Sequence, residues 1–422
     1  MNAAEATAEP MQQRASWTTF FRQSGWMVFA TLTGGMFFYA VHIFASRGMP
    51  KDEYGVFNAL LQVLNQMAIP SAGLQTIFVQ EAALAQSEQH RRELTGAVRA
   101  VFRATFFLWL AAAAVVLLFQ SKILHDYKIN NPVALWATVA VGLLSLWTPI
   151  TNGIMMGRQN FLWVGIASMS TAFVRLVFVA AIVLLLSGYA AGAMIAVFIG
   201  LLNSFGIGVW QTHQFWRGEA ERFNWRPWLK RIVPLTLGTG ALTFVYTIDM
   251  LAVQRFLTDT GIYGAAGMIG RALMFLVAPM TTVMFPKIVQ SAAKAERTDV
   301  LAQALGATAL LAVGSALFAT FFAKIPILIV QGESYLPAAK LVPWFTWCIL
   351  PLTVSSVLVN NLLARQRYGV VPWLVLVAAA YGIVLWQPAF HASHLRVIQT
   401  LGLFALLFFG VCLWFTWAKR SR

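Results

Sequence analysis

Apolar stretches of about 20 residues recur from one end of this chain to the other, and that recurrence constrains its fold more than any short motif. Twelve stand out, at 25–46, 55–78, 100–119, 132–155, 161–187, 190–211, 233–256, 262–286, 301–322, 336–364, 370–389 and 397–418. Each is long enough to cross the hydrocarbon core of a bilayer as a helix, where only helices and closed barrels satisfy every backbone N–H and C=O. With 59% hydrophobic and 11% charged residues over 422 positions, a water-soluble fold of this size would have nowhere to hide its apolar surface. The expected fold class is an all-α, polytopic membrane protein of about twelve transmembrane helices.

Charge orients the spans. If the N-terminus is inside, one set of loops carries Arg91, Arg92, Arg99, Arg158, Arg217, Arg222, Arg226, Lys230, Arg231, Lys287, Lys294, Arg297, Arg365, Arg367, Lys419, Arg420 and Arg422. The other set carries Arg47, Lys51, Lys122, Lys128, Arg255, Lys324, Lys340 and Arg396, a bias of roughly two to one that puts both termini in the cytoplasm. The net charge of +15 therefore reads as topology and lipid-headgroup contact, not as a nucleic-acid surface. The longest mid-chain interruption, 214–232, is a basic cytoplasmic linker with Trp225 and Trp228, and it divides the chain into six-helix bundles at 1–213 and 233–422. No loop is long enough to fold as a separate catalytic domain.

The first 24 residues are polar and lack the basic start and small-residue cleavage site of a secretory signal, so no cleavage is expected. Trp17, Phe20 and Phe21, between Arg14 and Arg22, suit either a short helix in the headgroup region or an extension of the first span. Cys348 and Cys412 lie in apolar runs and suggest neither a disulfide nor a metal, and the six histidines show no ligand spacing.

Polar residues at membrane depth point to a polar interior. A charge near mid-span costs roughly 2.5–3.5 kcal/mol on insertion scales, so Asp249 and Arg271, in the consecutive spans 233–256 and 262–286, should not face lipid. Asn58, Gln62, Asn65 and Gln66 share one helical face, either as hydrogen-bonding glue between helices or as the wall of a hydrated cavity. Ser168, Thr171 and Arg175 share another; Arg175 presents a planar fork for phosphate or carboxylate, or a salt-bridge donor to Asp249. Gly264 and Gly267 lie on the face of Arg271, and Tyr246, one turn before Asp249, is a candidate hydrogen-bond donor to it. The stripe Thr236, Thr239, Thr243 and Thr247 reads as packing, and Pro70, Pro149, Pro279, Pro286, Pro343 and Pro351 with Gly34 and Gly35 mark places where helices can bend.

A gapless match of Tyr54–Gly73 with Tyr263–Thr282 pairs Tyr54 with Tyr263, Gly55 with Gly264, Leu64 with Leu273 and Pro70 with Pro279, and sets Gln62 on Arg271. It suggests two similar halves related by an axis along the membrane normal, a layout of transporters.

The stretch SRGMPKDEYGVFNALLQ (Ser46 to Gln62), followed by SAGLQTIFVQEAA (Ser71 to Ala83), resembles the start of polysaccharide export proteins. These are the oligosaccharide flippases of the multidrug/oligosaccharidyl-lipid/polysaccharide (MOP) exporter superfamily. The resemblance continues at MMGRQNFLWVGIASMSTAFVRL (Met155 to Leu176) and from Ile248 to Pro286. It implies two bundles around a central cavity that opens alternately to either side, in the cytoplasmic membrane, with polyprenyl-diphosphate-linked oligosaccharide as substrate. It also implies diphosphate or acidic-sugar contacts at Arg175 and Arg271, with the amides Gln62 and Asn58 beside them, and Asp249 as charge partner or proton or sodium coupling group. No other cofactor is implied; the partners would be a polysaccharide polymerase and glycosyltransferases.

Two other classes compete. A cation-coupled multidrug exporter of the same superfamily would want acids in its cavity, and Asp249 is the only one near mid-span. A membrane polymerase or glycosyltransferase would need a positioned base or metal-binding carboxylates, whereas Asp52, Glu53, Asp126, Asp259 and Glu333 are scattered over short connections.

Overall fold

The computed structural model describes residues 26, 29–85, 87–272 and 300–417, and among them every regular element is helical. In chain order these are α1 (Phe29–Gly48), α2 (Lys51–Met67), α3 (Ile69–Leu84), α4 (Glu88–Leu118), α5 (Gln120–Asp126), α6 (Pro132–Gly157), α7 (Phe161–Leu186) and α8 (Tyr189–Thr212). There follow α9 (Gln214–Arg217), α10 (Trp225–Phe256), α11 (260–272), α12 (Val300–Phe321), α13 (Lys324–Val330), α14 (Val342–Ala364), α15 (Val371–Leu385) and α16 (His394–Trp417). The starts of several are written locally: the side chains of Ser87, Asn131 and Asn224 accept from the backbone N–H of His90, Val133 and Arg226. The α7–α8 connection is tight because Ser187 and Tyr189 take left-handed backbone angles, φ 48° and 41°.

Nine described helices are long and apolar enough to cross a membrane, and the bent pair Leu305–Phe321 with Lys324–Val330, angled at 86°, brings the number to ten. The expected spans at 55–78 and 262–286 are the remainder. The first is not one helix: it breaks at Ala68 into α2 and α3, because Pro70 has no N–H to return to the Gln66 carbonyl. The second is described only to residue 272, so Pro279, Pro286 and half of the repeat match lie outside the described residues, as does the 1–24 segment. Tyr54 and Tyr263 nevertheless occupy equivalent places, each the fourth residue of its helix and each fully buried.

Three further boundaries differ from the sequence reading. The span expected at 336–364 starts at Val342, preceded by a 3-10 helix over Glu333–Lys340. α5 and α13 occupy what were expected to be plain connections, being too short to register as spans. The interruption expected at 214–232 contracts to 218–224, because Asn224 caps α10 and Pro227, in its first turn, has no N–H that a helix would need there.

In the first half α6 lies between α3 and α8, and α8 packs on α7 and α2. Small residues set these distances. Gly153 sits against the Gln75 carbonyl and Gly157 against that of Val79, while Gly208 sits on Thr151 and Gly200 on the Thr171 carbonyl. In the second half α14 packs on α12 and α16, and α10 on α15, with Gly402 against Cys348. The halves meet where α2 and α3 run along α10, and where Gly55 of α2 faces Thr260 and Gly264 of α11 faces Asn58. The outside is apolar: Leu185, Leu118 and Phe321 are 80%, 79% and 76% exposed, as lipid-facing residues must be.

Close approach of α3 to α6 gives a direct prediction. Gly153→Leu with Gly157→Leu should lower stability in detergent by about 1–3 kcal/mol, the usual cost of overpacking. Gly206→Leu and Gly314→Leu, which meet nothing within 4 Å, should be silent in the same thermal-unfolding measurement.

Candidate functional site

Between the halves lies a cavity of ≈ 240 Å3 walled by α1, α2, α6, α7 and α8 of the first half and α10 and α11 of the second. Arg175 enters from α7, Arg271 from α11, and Asn58, Gln62 and Asn65 from α2. The polar face of α2 is thus largely a cavity wall, with Asn58 Nδ2 bonded to its own helix at Tyr54 O, 2.8 Å away, and Asn65 Nδ2 donating to Gln62 Oε1 at 3.1 Å. Gln66 lies off the wall, and its Nε2 is buried without a hydrogen-bond partner among the described residues. Thr171 lines the cavity with Arg175, whereas Ser168 on the same face points at Gly34 of α1.

Two arginines share this cavity in unlike states. Arg271 is 5% exposed, and its Nη2 donates to both carboxylate oxygens of Asp249 at 2.6 Å. Its Nε donates to Tyr246 O at 3.1 Å, and its guanidinium lies 5.0 Å from the Phe345 ring centroid. Asp249 is fully buried, does not line the cavity, and accepts a third bond from the Tyr263 hydroxyl at 2.6 Å. Gly267 makes room for this fork: a Cβ there would collide with Arg271 Nη1. Arg175 has no carboxylate within salt-bridge distance among the described residues, and its Nε and Nη2 are buried without a hydrogen-bond partner. Its contact is the face of Phe38, 5.2 Å from the guanidinium carbon.

These positions correct two expectations. Asp249 is engaged by Arg271, so the alternative salt bridge from Arg175 to Asp249 does not form: two donors on the neighbouring helix α11 already satisfy the carboxylate. The donor to Asp249 is Tyr263 and not Tyr246, whose hydroxyl turns to the Arg271 carbonyl at 3.1 Å and ties α10 to α11. Thr239, Thr243 and Thr247 each bond back to the preceding turn of α10.

Sequence reasoning missed the cavity's aromatic and histidine wall. Phe38, Tyr39 and His42 of α1 line it, and His42 Nδ1 lies 3.1 Å from the Tyr54 hydroxyl. Phe38 and His42 stand one turn apart in the sequence, but nothing in an apolar span marks which face meets a cavity. Tyr54 in turn packs edge-on against Tyr335, and its hydroxyl reaches Met268 Sδ at 3.7 Å, joining the first half to the second at one end of the cavity. At this same end Arg47 Nη2 donates to Ile329 O at 2.9 Å, Gln254 Nε2 to Tyr127 O at 3.0 Å, and Arg255 pairs with Asp126 at 2.9 Å. These contacts tie the two halves together there. Among the described residues no group of three or more His, Cys, Asp or Glu is placed to hold a metal ion.

The sequence pattern of the family described as polysaccharide biosynthesis protein matches residues 20–292, well over half of the chain. The chain belongs to that family. Its fold is that of MOP-superfamily transporters. A structure described as "Lipid II flippase MurJ, inward closed conformation" superposes with a TM-score of 0.72 at 12% identity, over 92% of this chain and 86% of that one. The inward-facing conformation of a multidrug-resistance MATE family transporter gives 0.67 at 11%, over 94% and 100%. A MOP-superfamily transporter from Pyrococcus furiosus, described as having a binding pocket of reverse polarity, gives 0.64 at 13%, over 94% of each chain. No curated protein matches the chain. It is therefore a multi-pass membrane protein of a transporter and flippase fold.

The buried pair makes a stability prediction. Asp249→Ala should destabilise the protein by about 3–5 kcal/mol, because Arg271 is left charged and unpaired. The double variant Asp249→Ala/Arg271→Ala should recover part of that loss in a detergent thermal-unfolding assay.

Proposed function

We propose that this protein moves a polyprenyl-diphosphate-linked oligosaccharide from the inner to the outer leaflet of the cytoplasmic membrane by alternating access, for the assembly of a cell-surface polysaccharide. The observation that carries this reading is Arg175, a guanidinium at the cavity wall with buried donors that no acceptor among the described residues meets. An unpaired cation inside a membrane protein is costly, and it is sustained where an anionic ligand or water completes it. A diphosphate offers the acceptors that a guanidinium fork accommodates best.

Around Arg175 the amides of Gln62, Asn58 and Asn65 supply hydrogen bonds for sugar hydroxyls or phosphate oxygens. Arg271 adds positive potential, although its fork is committed to Asp249. Asp249 acts first as the charge partner of Arg271. A proton or sodium ion at Asp249 would compete with that pairing, so any coupling through it would act by releasing Arg271 toward the cavity. The same pairing argues against a multidrug exporter for cations, since the only deep acid is neutralised and off the cavity wall. Enzymatic sugar transfer has no support from the described residues of the cavity walls, among which there is no carboxylate to serve as base. With both termini cytoplasmic, the expected partners are membrane lipid, a polysaccharide polymerase and the glycosyltransferases that build the oligosaccharide.

The test is flipping of a polyprenyl-diphosphate-linked oligosaccharide in proteoliposomes. Arg175→Gln should lower the rate by about tenfold or more, on the scale of a lost charge-assisted contact, and Arg175→Lys should keep part of it. Full flipping by folded Arg175→Gln would remove Arg175 from the mechanism, and drug resistance conferred on a pump-deficient host would favour the exporter reading.

A further inference from the structure

A second and larger recess, ≈ 540 Å3, lies away from the interior, between α4 and the segment that joins the two halves. α4 has 31 residues and so runs about 46 Å, well beyond the roughly 30 Å of a hydrocarbon core. Its first turns therefore stand outside the membrane, and Arg99 and Arg103 fall near the level of the headgroups. On the other side of the recess the chain passes Glu221, Arg222 and Phe223 and enters α10 at Trp225.

The two nearest arginines are used differently. Arg99 straps the linker to α4, donating from Nη2 to Gly218 O at 2.7 Å and to Trp216 O at 2.9 Å. Glu221 N–H bonds to Arg92 O at 3.1 Å, and the Glu221 carbonyl lies on Gly96, so the linker backbone is held flat on the helix. Arg103 and Arg222 remain exposed. Arg103 makes one long bond, Nε to Arg99 O at 3.4 Å, and Arg222 has no partner among the described residues. The α10 N-terminus adds the positive end of its helix dipole to the same recess, although Asn224 already accepts from Arg226 N–H. Among the described residues that line the recess, the Glu221 carboxylate is the one opposing charge.

Below Arg103 the same face of α4 continues as Phe107, 64% exposed, and Leu110, 47% exposed, one and two turns deeper. A basic recess at headgroup level that runs into a lipid-facing apolar track has the chemistry of an anionic phospholipid: phosphate above, acyl chain below. A free phosphate would use only the upper part.

We propose that this recess binds the phosphate of an anionic phospholipid between Arg103 and Arg222, with an acyl chain along Phe107 and Leu110. The bound lipid then bridges the first half, through α4, to the N-terminus of α10 in the second, and so fastens the linker that must give when the halves rock. This site is independent of what the interior cavity carries.

Native mass spectrometry of the full chain, released from detergent with phosphatidylglycerol or phosphatidylcholine of matched chains, tests it. The native chain should retain phosphatidylglycerol on the order of tenfold better, as two interfacial arginines would supply. Arg103→Gln/Arg222→Gln should reduce retention to the phosphatidylcholine level, while Lys122→Gln/Lys340→Gln, in α5 and the 3-10 helix before α14, should not. Unchanged phosphatidylglycerol retention in the arginine variant overturns the proposal, as does equal competition by glycerol 3-phosphate, which has no acyl chain. A second measurement leaves the arginines in place: the fluorescence quenched by chain-brominated phosphatidylglycerol in vesicles should shrink in Trp225→Phe. Equal quenching by brominated phosphatidylcholine would overturn the site.

Discussion

A carboxylate buried in the middle of a membrane has few tolerable fates, and here Asp249 takes the strictest: it accepts from Arg271 and Tyr263 and touches no cavity. That constraint organises the second half. Holding Arg271 in reach of Asp249 requires α11 to lie against α10, which the Tyr246 hydroxyl reinforces by bonding the Arg271 carbonyl. It also requires glycine at position 267, where any side chain would displace the guanidinium, and an aromatic face at Phe345 to cover it. The pair costs desolvation on both sides, and its value lies less in net stability than in fixing one arrangement of two helices.

The same economy of charge explains why the interior is not neutral. Among the described residues one arginine is balanced and the other is not, which leaves an excess of positive potential concentrated at Arg175. Amides, which can donate or accept, surround it without cancelling it. The wall is unequal in another sense, since among the described residues five of its helices come from the first half and two from the second. Movement of one half against the other would therefore carry most of the wall as a body and change chiefly the contacts made by α10 and α11.

Much of this was legible in the sequence because lipid is an unforgiving solvent. Apolar run length gave the helices, the rarity of deep charge marked Arg175, Asp249 and Arg271, and the spacing of Asn58, Gln62 and Asn65 marked a polar wall. What stayed hidden depends on helix rotation and partner choice. Two arginines and one acid permit two pairings, and only the packing of α10 on α11 decides between them. Tyr263 was visible as a repeat match to Tyr54, yet its bond to Asp249 needs the three-dimensional register. Phe38, Tyr39 and His42 face the cavity from a span whose other faces are equally apolar, and the seven-residue helices α5 and α13 are shorter than any span-length signal.

The central claim is that Arg175 is, among the described residues, the cavity's uncommitted cation, held for an anionic group on the substrate. An experimental structure of the protein with a bound polyprenyl-diphosphate-linked oligosaccharide measures it directly. The account predicts the diphosphate within hydrogen-bond distance of the Arg175 guanidinium, with the Asp249–Arg271 pair intact or opened toward the same phosphates. A diphosphate seated away from Arg175, with that guanidinium paired instead to a protein carboxylate, would contradict it.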